Sequence, residues 1–254
     1  MSGFTTGFFG KLPTHGDFIT RELPSHFIDI WDNWLQLFVS STQAQLGDDW
    51  LDIYLTSPIW RFVFSEGVVD EQHWAGIMLP SVDRVGRYFP FSIITALPTQ
   101  QNPVAILCEA NDWFEQLEDA ALQALNGDLE LETLLETINE VPLAENTNYQ
   151  KNVDIYGGTQ AVSPLLMRLD FEEQTLHSLL PGMMDALLKT SYASYSAWAT
   201  RGSEYVEPCM FVARGLPVTS GVAAMLEGQW QEWGWPEPYS LNEIQAEQDV
   251  VDDE

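Results

Sequence analysis

The sequence predicts an α/β protein of the α+β type, with a central, mostly antiparallel sheet flanked by amphipathic helices in a single domain. Three short apolar runs follow one another at residues 59–64, 74–79 and 91–97. Short connections of this kind favour strands that are antiparallel neighbours. Segments with helical periodicity lie before and after the runs, at residues 26–46 and 110–140. Sheets and helices with one apolar side pack against each other in layers.

The first helix is predicted over residues 26–46 because large apolar residues recur there with a period near 3.6. Gly47 supplies a helix stop. The residues expected to face the core are Phe27, Ile30, Trp31, Trp34, Leu35 and Phe38.

The loop between the second and third runs, residues 80–90, is the most distinctive stretch of the chain. Pro80 and Pro90 exclude a helix, and Gly86 suits a turn with positive φ. The loop contains Arg84 and Arg87 in a chain with only ten lysines and arginines. We favour an internal clasp in which these arginines pair with Asp83, and a recognition loop for an anionic partner is the alternative.

The N-terminal segment combines glycine and polar residues after a short apolar strand. Its Gly10-Lys11 pair is not a phosphate-binding loop, because Thr5 replaces the first glycine of that motif and Leu12 replaces the residue that holds magnesium. His15 and Asp17 suggest an acid–base pair. We favour the simpler interpretation that they are local hydrogen-bonding residues of a turn.

Two acidic helices are predicted between residues 110 and 141. Gly127 ends the first and Pro142 ends the second. A solvated surface is the interpretation we favour for their outer faces, and a docking face for a basic partner is the alternative. The outward acids are Glu115, Glu118, Asp119, Glu132, Glu136 and Glu140.

The rest of the chain predicts a continuation of the same domain, taken as residues 1–238. An acidic tail, residues 239–254, is expected to be flexible. The elements expected before the tail are a surface loop at 143–160, a strand near 164–169, a helix near 182–189, strands at 192–198 and 209–213, and a short helix after Pro217.

Composition excludes several classes of protein. A net charge of −28 disfavours binding to nucleic acid or to anionic membranes. No apolar run approaches the length of a membrane span, and the first residues do not form a signal peptide, so a cytoplasmic location is expected. Cys108 and Cys209 stand alone in apolar surroundings and are expected to be reduced core residues.

Motifs for catalysis are absent from the sequence. The four histidines and two cysteines lack the spacing of metal ligands, and no nucleophile elbow or dinucleotide pattern occurs, so we expect no metal, no cofactor and no enzyme activity. Two alternatives stay open. One is an unrecognised hydrolase or phosphatase using His15, Asp17 and Asp83, and the other is an acidic inhibitor that mimics nucleic acid.

Three motifs together resemble the TagF (ImpM) family, which is associated with type VI secretion. The resemblance extends from about residue 3 to about residue 235. Thr14 stands where the family is expected to have serine, and the acidic tail is not part of the likeness. The motifs are Gly7-Phe8-Phe9-Gly10-Lys11-Leu12-Pro13 with His15-Gly16-Asp17-Phe18, then Pro80-Ser81-Val82-Asp83-Arg84-Val85-Gly86-Arg87-Tyr88-Phe89-Pro90, and finally Trp198 to Gly202 with Arg214-Gly215-Leu216-Pro217.

The resemblance implies a cytoplasmic repressor that acts after translation on the type VI secretion apparatus. Members of the family are understood to bind the forkhead-associated scaffold protein of that apparatus rather than to catalyse a reaction. No catalytic residue is therefore carried over, and the oligomeric state is left open. The motif positions become candidates for structural or docking roles: Lys11, His15, Asp17, Asp83, Arg84, Arg87 and Arg214.

Overall fold

A computed structural model describes residues 5–98, 100–143, 167 and 175–240 of the chain. Its strands are β1 (Thr6–Gly10), β2 (Ile19–Arg21), β3 (Trp60–Phe64), β4 (His73–Leu79), β5 (Phe91–Leu97), β6 (Tyr195–Thr200) and β7 (Cys209–Arg214). Among the described residues they form one seven-stranded sheet in the order β2-β1-β5-β4-β3-β6-β7, and all neighbouring strands are antiparallel. The predicted fold class is confirmed.

The three apolar runs of the sequence are β3, β4 and β5, and they are neighbours as predicted. Gly76 of β4 pairs with Phe62 of β3 on one side and with Ile94 of β5 on the other. The strands approach so closely there that a β-carbon on Gly76 would lie 2.3 Å from the carbonyl oxygen of Ile93. The loop at residues 80–90 connects β4 to β5.

Seven α-helices occur in the described ranges. Their bounds are α1 (Ser25–Leu46), α2 (Trp50–Leu55), α3 (Pro103–Glu109), α4 (Asn111–Asn126), α5 (Leu131–Glu140), α6 (Leu180–Ser191) and α7 (Ala224–Glu227). The predicted helix stops are confirmed at Gly47, with φ 58°, and at Gly127, which is left-handed with φ 79°. None of the described helices is long and apolar enough to cross a bilayer.

Helix α3, which is only seven residues long, is not among the elements predicted from the sequence. Pro103 occupies its first turn, and the side chain of Asn102 caps it by accepting a hydrogen bond from the Ala105 amide. Both are standard devices for starting a helix. The segment is too short, and too uniformly buried, for helical periodicity to be visible.

The sheet separates two apolar cores. On one face, α1 and α2 pack against the tryptophan and phenylalanines of β3. These residues alternate along the strand with residues that point to the other face of the sheet. On the opposite face, α3, α4 and α5 cover the sheet with mostly aliphatic residues, together with Trp113 and Phe114 of α4. The acidic helices and the first helix therefore lie on opposite sides of the molecule.

Two predictions of burial are wrong. Ile30 is 37% exposed, because at about 100° per residue it lies about 40° beyond Trp34, outside the buried stripe of α1. Cys108 is exposed at the end of α3, and Cys209 is only partly buried. Both thiols are free, and partial burial raises the pKa of Cys209 to about 11.

The C-terminal elements follow the prediction with small shifts. The expected helix near 182–189 is α6, the expected strands are β6 and β7, and the short helix is α7, which Gly228 ends with φ 75°. The strand starts at Tyr195 rather than residue 192 because α6 continues to Ser191. The predicted loop at 143–160, the strand near 164–169 and the tail at 239–254 lie almost wholly outside the described residues.

Candidate docking site

The carboxylate of Asp83 is the centre of the candidate site. Its side chain is fully shielded from solvent and accepts four hydrogen bonds. Oδ1 accepts from the backbone amides of Val85 at 3.0 Å and Arg87 at 2.8 Å. Oδ2 accepts from Nζ of Lys11 at 2.9 Å and Nε of Arg87 at 2.6 Å. The predicted clasp is thus present for Arg87, with Lys11 as a second cation. It is wrong for Arg84, which is exposed and forms no ion pair with a carboxylate among the described residues.

These contacts set the ionisation of Asp83. Burial alone raises the pKa of a carboxyl group, because it penalises the charged form. Here the hydrogen bonds from the Arg87 amide, the Lys11 ammonium, the Arg87 guanidinium and the Val85 amide outweigh burial, and they hold the pKa of Asp83 well below its usual range. Asp83 is therefore a fixed anion and a poor candidate for a general acid or base near neutral pH.

The loop at residues 80–90, here called the arginine loop, is closed on itself by backbone bonds. The Asp83 amide donates to the Arg87 carbonyl and the Gly86 amide donates to the Asp83 carbonyl, both at 3.0 Å. Gly86 has φ 86°, as the predicted turn requires. Below this turn, the Phe89 amide donates to the Ser81 carbonyl at 3.0 Å. The tip of the loop is consequently rigid.

Buried polar groups anchor the base of the arginine loop. The hydroxyl of Ser81 donates to the backbone carbonyl of Lys11 at 2.6 Å. The hydroxyl of Tyr54 donates to the Ser81 carbonyl at 3.1 Å and accepts from the Ser81 amide. Burial strongly raises the pKa of Tyr54, so its hydroxyl stays protonated and remains a donor. The sequence assigns no role to either residue, because their bonding partners are distant in the chain.

A second loop, residues 11–18, here called the N-terminal loop, is tied to the arginine loop. The Arg84 amide donates to the His15 carbonyl at 3.0 Å, and the Arg87 guanidinium donates to the Gly16 carbonyl. The structure therefore brings most of the predicted motif residues together. The exception is Arg214, which ends the edge strand β7 at the other side of the sheet.

His15 and Asp17 do not pair with each other. The ring Nδ1 of His15 lies 2.9 Å from Oγ1 of its neighbour Thr14, and Asp17 is exposed. The favoured prediction of local hydrogen bonding holds for His15 but with Thr14 as its partner. This geometry does not assemble the acid–base pair that a hydrolase at this position requires.

An aromatic cluster lies under the two loops. Phe18 stacks on Phe9 with ring centroids 5.8 Å apart and meets Phe89 edge-on at 4.8 Å. The ammonium of Lys11 lies 4.9 Å from the centre of the Phe18 ring, a cation–π distance. Phe18 nevertheless remains 49% exposed, so one side of its ring faces solvent.

One member of the predicted acidic face is misplaced. Glu118 binds the guanidinium of Arg61 through two bonds of 2.5 and 3.0 Å, and both side chains are largely buried. Arg61 also donates to Asn111 at 2.8 Å and packs over the ring of Phe114. Glu118 is therefore a structural residue, because Arg61 on β3 points to the face of the sheet that α4 covers.

The remaining acids form a surface on α4 and α5. Asp119, Glu132, Glu136 and Glu140 are exposed, and Glu115 is partly exposed beside Arg201 at 2.5 Å. Hydrogen bonds from Asn111 and Arg201 hold the pKa of Glu115 below its usual value. We call this set, without Glu118, the acidic face.

The acidic face lies beside the N-terminal loop. A β-carbon on Gly127, in the turn between α4 and α5, would lie 3.3 Å from Cγ2 of Thr14. Glu132 also lies 3.7 Å from the guanidinium of Arg21 on β2. The protein thus carries an extended acidic surface next to two loops that contain three basic residues and two acidic ones.

Metal ligands do not converge within the described part of the chain, where no group of three or more His, Cys, Asp or Glu residues is placed to hold an ion. The fold and the site together define an α+β protein with one antiparallel sheet and a rigid, charged two-loop surface. No curated protein matches the sequence.

Residues 7–141 match the family described as TagF N-terminal domain, type VI secretion system-associated. The chain belongs to this family. It is also similar to the solved structure of PA0076 from Pseudomonas aeruginosa PAO1, with 30% identity and a TM-score of 0.75. That similarity covers 93% of this chain and 99% of the other, so it includes the C-terminal strands beyond the family match.

Proposed function

We propose that this type VI secretion-associated protein is a cytoplasmic repressor that acts after translation by binding the forkhead-associated scaffold of the secretion apparatus. In this proposal it holds the scaffold in an inactive complex and catalyses no reaction. The observation that carries the proposal is the exposed acidic face of α4 and α5 in a member of the TagF family.

The chemistry of the expected partner supports this choice. Forkhead-associated modules recognise phosphothreonine through cationic and polar loops. Glu132, Glu136 and Glu140 follow one another at intervals of four residues on one side of α5, which brings their negative charges together. A cationic recognition loop of the scaffold is complementary to such a row of carboxylates.

The state of the charged residues around Asp83 supports binding rather than catalysis. Lys11, Arg87 and Asp83 bond to one another, and His15 bonds to Thr14. A catalytic site normally holds a nucleophile or base with a shifted pKa within reach of a substrate. Here the charged groups stabilise the shape of a surface loop, which is the arrangement expected of a docking surface.

Two measurements test the proposal. Deletion of the gene is expected to raise type VI secretion while the amounts of the apparatus proteins stay constant, because the repression acts after translation. The purified protein is expected to bind purified scaffold directly in a titration. Unchanged secretion after deletion, or no binding between the purified proteins, contradicts the proposal.

A matched pair of variants separates function from folding. Charge reversal of Glu132 and Glu136 on the acidic face is compared with charge reversal of Asp48 and Asp49, which are exposed beside α1 on the opposite side of the sheet. Both pairs change the net charge equally. Only the first pair of charge reversals is expected to weaken repression and so raise type VI secretion.

A further inference from the structure

Arg84 is unusual among the cations of this chain. Lys151 and Arg168 lie outside the described residues, which leaves eight lysines and arginines of the ten. Among these eight, all but Arg84 and Arg214 form ion pairs with carboxylates: Lys11, Arg21, Arg61, Arg87, Lys189 and Arg201. In so acidic a protein, an exposed arginine without such a partner has a charge available for another molecule.

The backbone under Arg84 is held in place before any partner binds. Its amide donates to the His15 carbonyl, and the residues on either side of the tip are fixed by the buried carboxylate of Asp83. A rigid loop loses little conformational entropy on association, so a side chain presented by it contributes more to affinity.

Apolar surface lies beside the Arg84 guanidinium, which has no ion-pair partner in the described part of the chain. Val85, the next residue, is 67% exposed, and the half-exposed ring of Phe18 belongs to the N-terminal loop that is tied to Arg84. The terminal nitrogen of Arg84 lies close to this loop, since a β-carbon on Gly16 would be 3.6 Å from it. Arginine next to an exposed aromatic side chain is a composition enriched at protein interfaces.

We propose that Arg84 and Val85, at the tip of the arginine loop, bind an acidic segment of the scaffold, with an Asp or Glu carboxylate on the guanidinium. This inference rests on the proposed function, because it names a contact with the same partner. A carboxylate is the complementary group for an unpaired guanidinium, with which it forms two parallel hydrogen bonds. The neighbouring acidic face requires a basic region of the scaffold, so the partner must present both charges side by side.

The overall charge of the protein favours a protein segment over other anions. A chain of net charge −28 repels extended polyanions such as nucleic acid and anionic membranes over many ångströms. A single carboxylate next to basic residues of the same partner escapes most of that repulsion, because those basic residues offset its charge. Specificity then depends on close contact at the loop tip.

The first test compares charge reversal at the two unpaired arginines in titrations of the purified full-length protein with purified scaffold. Arg84→Glu is expected to weaken binding at least about tenfold, as truncation or reversal at a hot spot does. Arg214, a predicted motif residue that the structure places on the far edge strand and outside the candidate docking site, provides the control: Arg214→Glu makes the same change of charge and is expected to change affinity less than about twofold. Both variants are expected to keep the wild-type melting temperature, since neither side chain has an ion-pair partner among the described residues.

The second test replaces Val85 by a photo-crosslinking amino acid and maps the scaffold peptide that it captures. The same replacement at Val218, which is 70% exposed, is the control for exposure. We expect capture from position 85, with Asp or Glu in the captured peptide, and none from position 218.

The outcomes separate the two proposals. If wild-type protein does not bind the scaffold, the proposed function fails and this inference fails with it. If wild type binds and Arg84→Glu binds equally well, or if Arg214→Glu loses as much affinity, only this inference is overturned. A captured peptide without an acidic residue also overturns it.

Discussion

Lys11 and Asp83 lie 72 residues apart in the sequence and form a 2.9 Å ion pair whose side chains are almost completely buried. The pair joins the end of β1 to the loop between β4 and β5, and it fixes the two loops that form the candidate site. Removing one member of a buried pair leaves the other charged and unpaired, which is strongly destabilising. The shape of the site therefore depends on this contact.

The first prediction concerns the pH dependence that Asp83 confers. Because its pKa is lowered in the folded state, ionised Asp83 contributes stability that is complete above its unfolded-state pKa of about 4. That contribution is lost as the pH falls through the lower, folded-state pKa. Asp83→Asn is expected to unfold more easily than wild type at neutral pH, and the difference is expected to shrink below about pH 4.

Urea denaturation of both proteins between neutral and acidic pH measures this difference. Asp48→Asn, at an exposed acid without an ion-pair partner in the described ranges, is the control and is expected to follow wild type throughout. A difference between Asp83→Asn and wild type that grows on acidification contradicts the prediction.

The second prediction separates Glu118 from the acidic face. Glu118→Ala leaves the largely buried guanidinium of Arg61 without its carboxylate, so it is expected to lower the free energy of unfolding by about 3–5 kcal/mol. Glu136→Ala, on the exposed side of α5, is expected to change it by less than about 0.5 kcal/mol. Chemical denaturation distinguishes these values, and equal effects of the two changes would show that Glu118 is not structural.

The third prediction concerns Gly10, which precedes Lys11. It has φ 136°, and a β-carbon there would lie 2.2 Å from the Pro90 carbonyl oxygen. Gly10→Ala is expected to prevent stable folding, because it combines an unfavourable backbone conformation with a clash against backbone atoms of β5 and of Pro90, the residue before it.

Gly86→Ala provides the comparison for Gly10. Its φ is also positive, at 86°, but no atom lies within 4 Å of its added β-carbon. The cost is expected to be about 1–2 kcal/mol, from backbone strain alone. Thermal unfolding of both variants checks the ranking, and a soluble Gly10→Ala protein with the melting temperature of Gly86→Ala refutes the packing argument.

The fourth prediction concerns the kinetics of partner binding. Reversal of Glu132 and Glu136 to lysine is expected to slow association with the scaffold more than it speeds dissociation, because exposed charges act mainly by long-range attraction. Raising the salt concentration is expected to slow association of the wild type in the same way. Stopped-flow or surface-based kinetics across salt tests both, and rates independent of salt rule out the acidic face as the steering surface.

The local elements of this protein can be predicted from the order of its residues. The apolar runs of β3, β4 and β5, the 3.6-residue period of α1, α4 and α5, and the glycines at positions 47, 86 and 127 are properties of neighbouring residues. These patterns were sufficient to predict the antiparallel sheet and to place Asp83 and Arg87 in one turn, since both lie within five residues of chain.

Which charged side chains are buried and structural, and which are exposed, depends on the three-dimensional packing of distant segments. Lys11 reaches Asp83 and Arg61 reaches Glu118 through contacts between distant segments, and no local pattern encodes such contacts. In the sequence, Glu118 follows the same pattern of acidic residues as its exposed neighbours. Only the position of Arg61 on the adjacent sheet shows that Glu118 is a buried ion-pair partner. Arg84 is distinguished from Arg87 in the same way: one turn presents both, but of the two only Arg87 forms an ion pair with the buried carboxylate of Asp83 among the described residues.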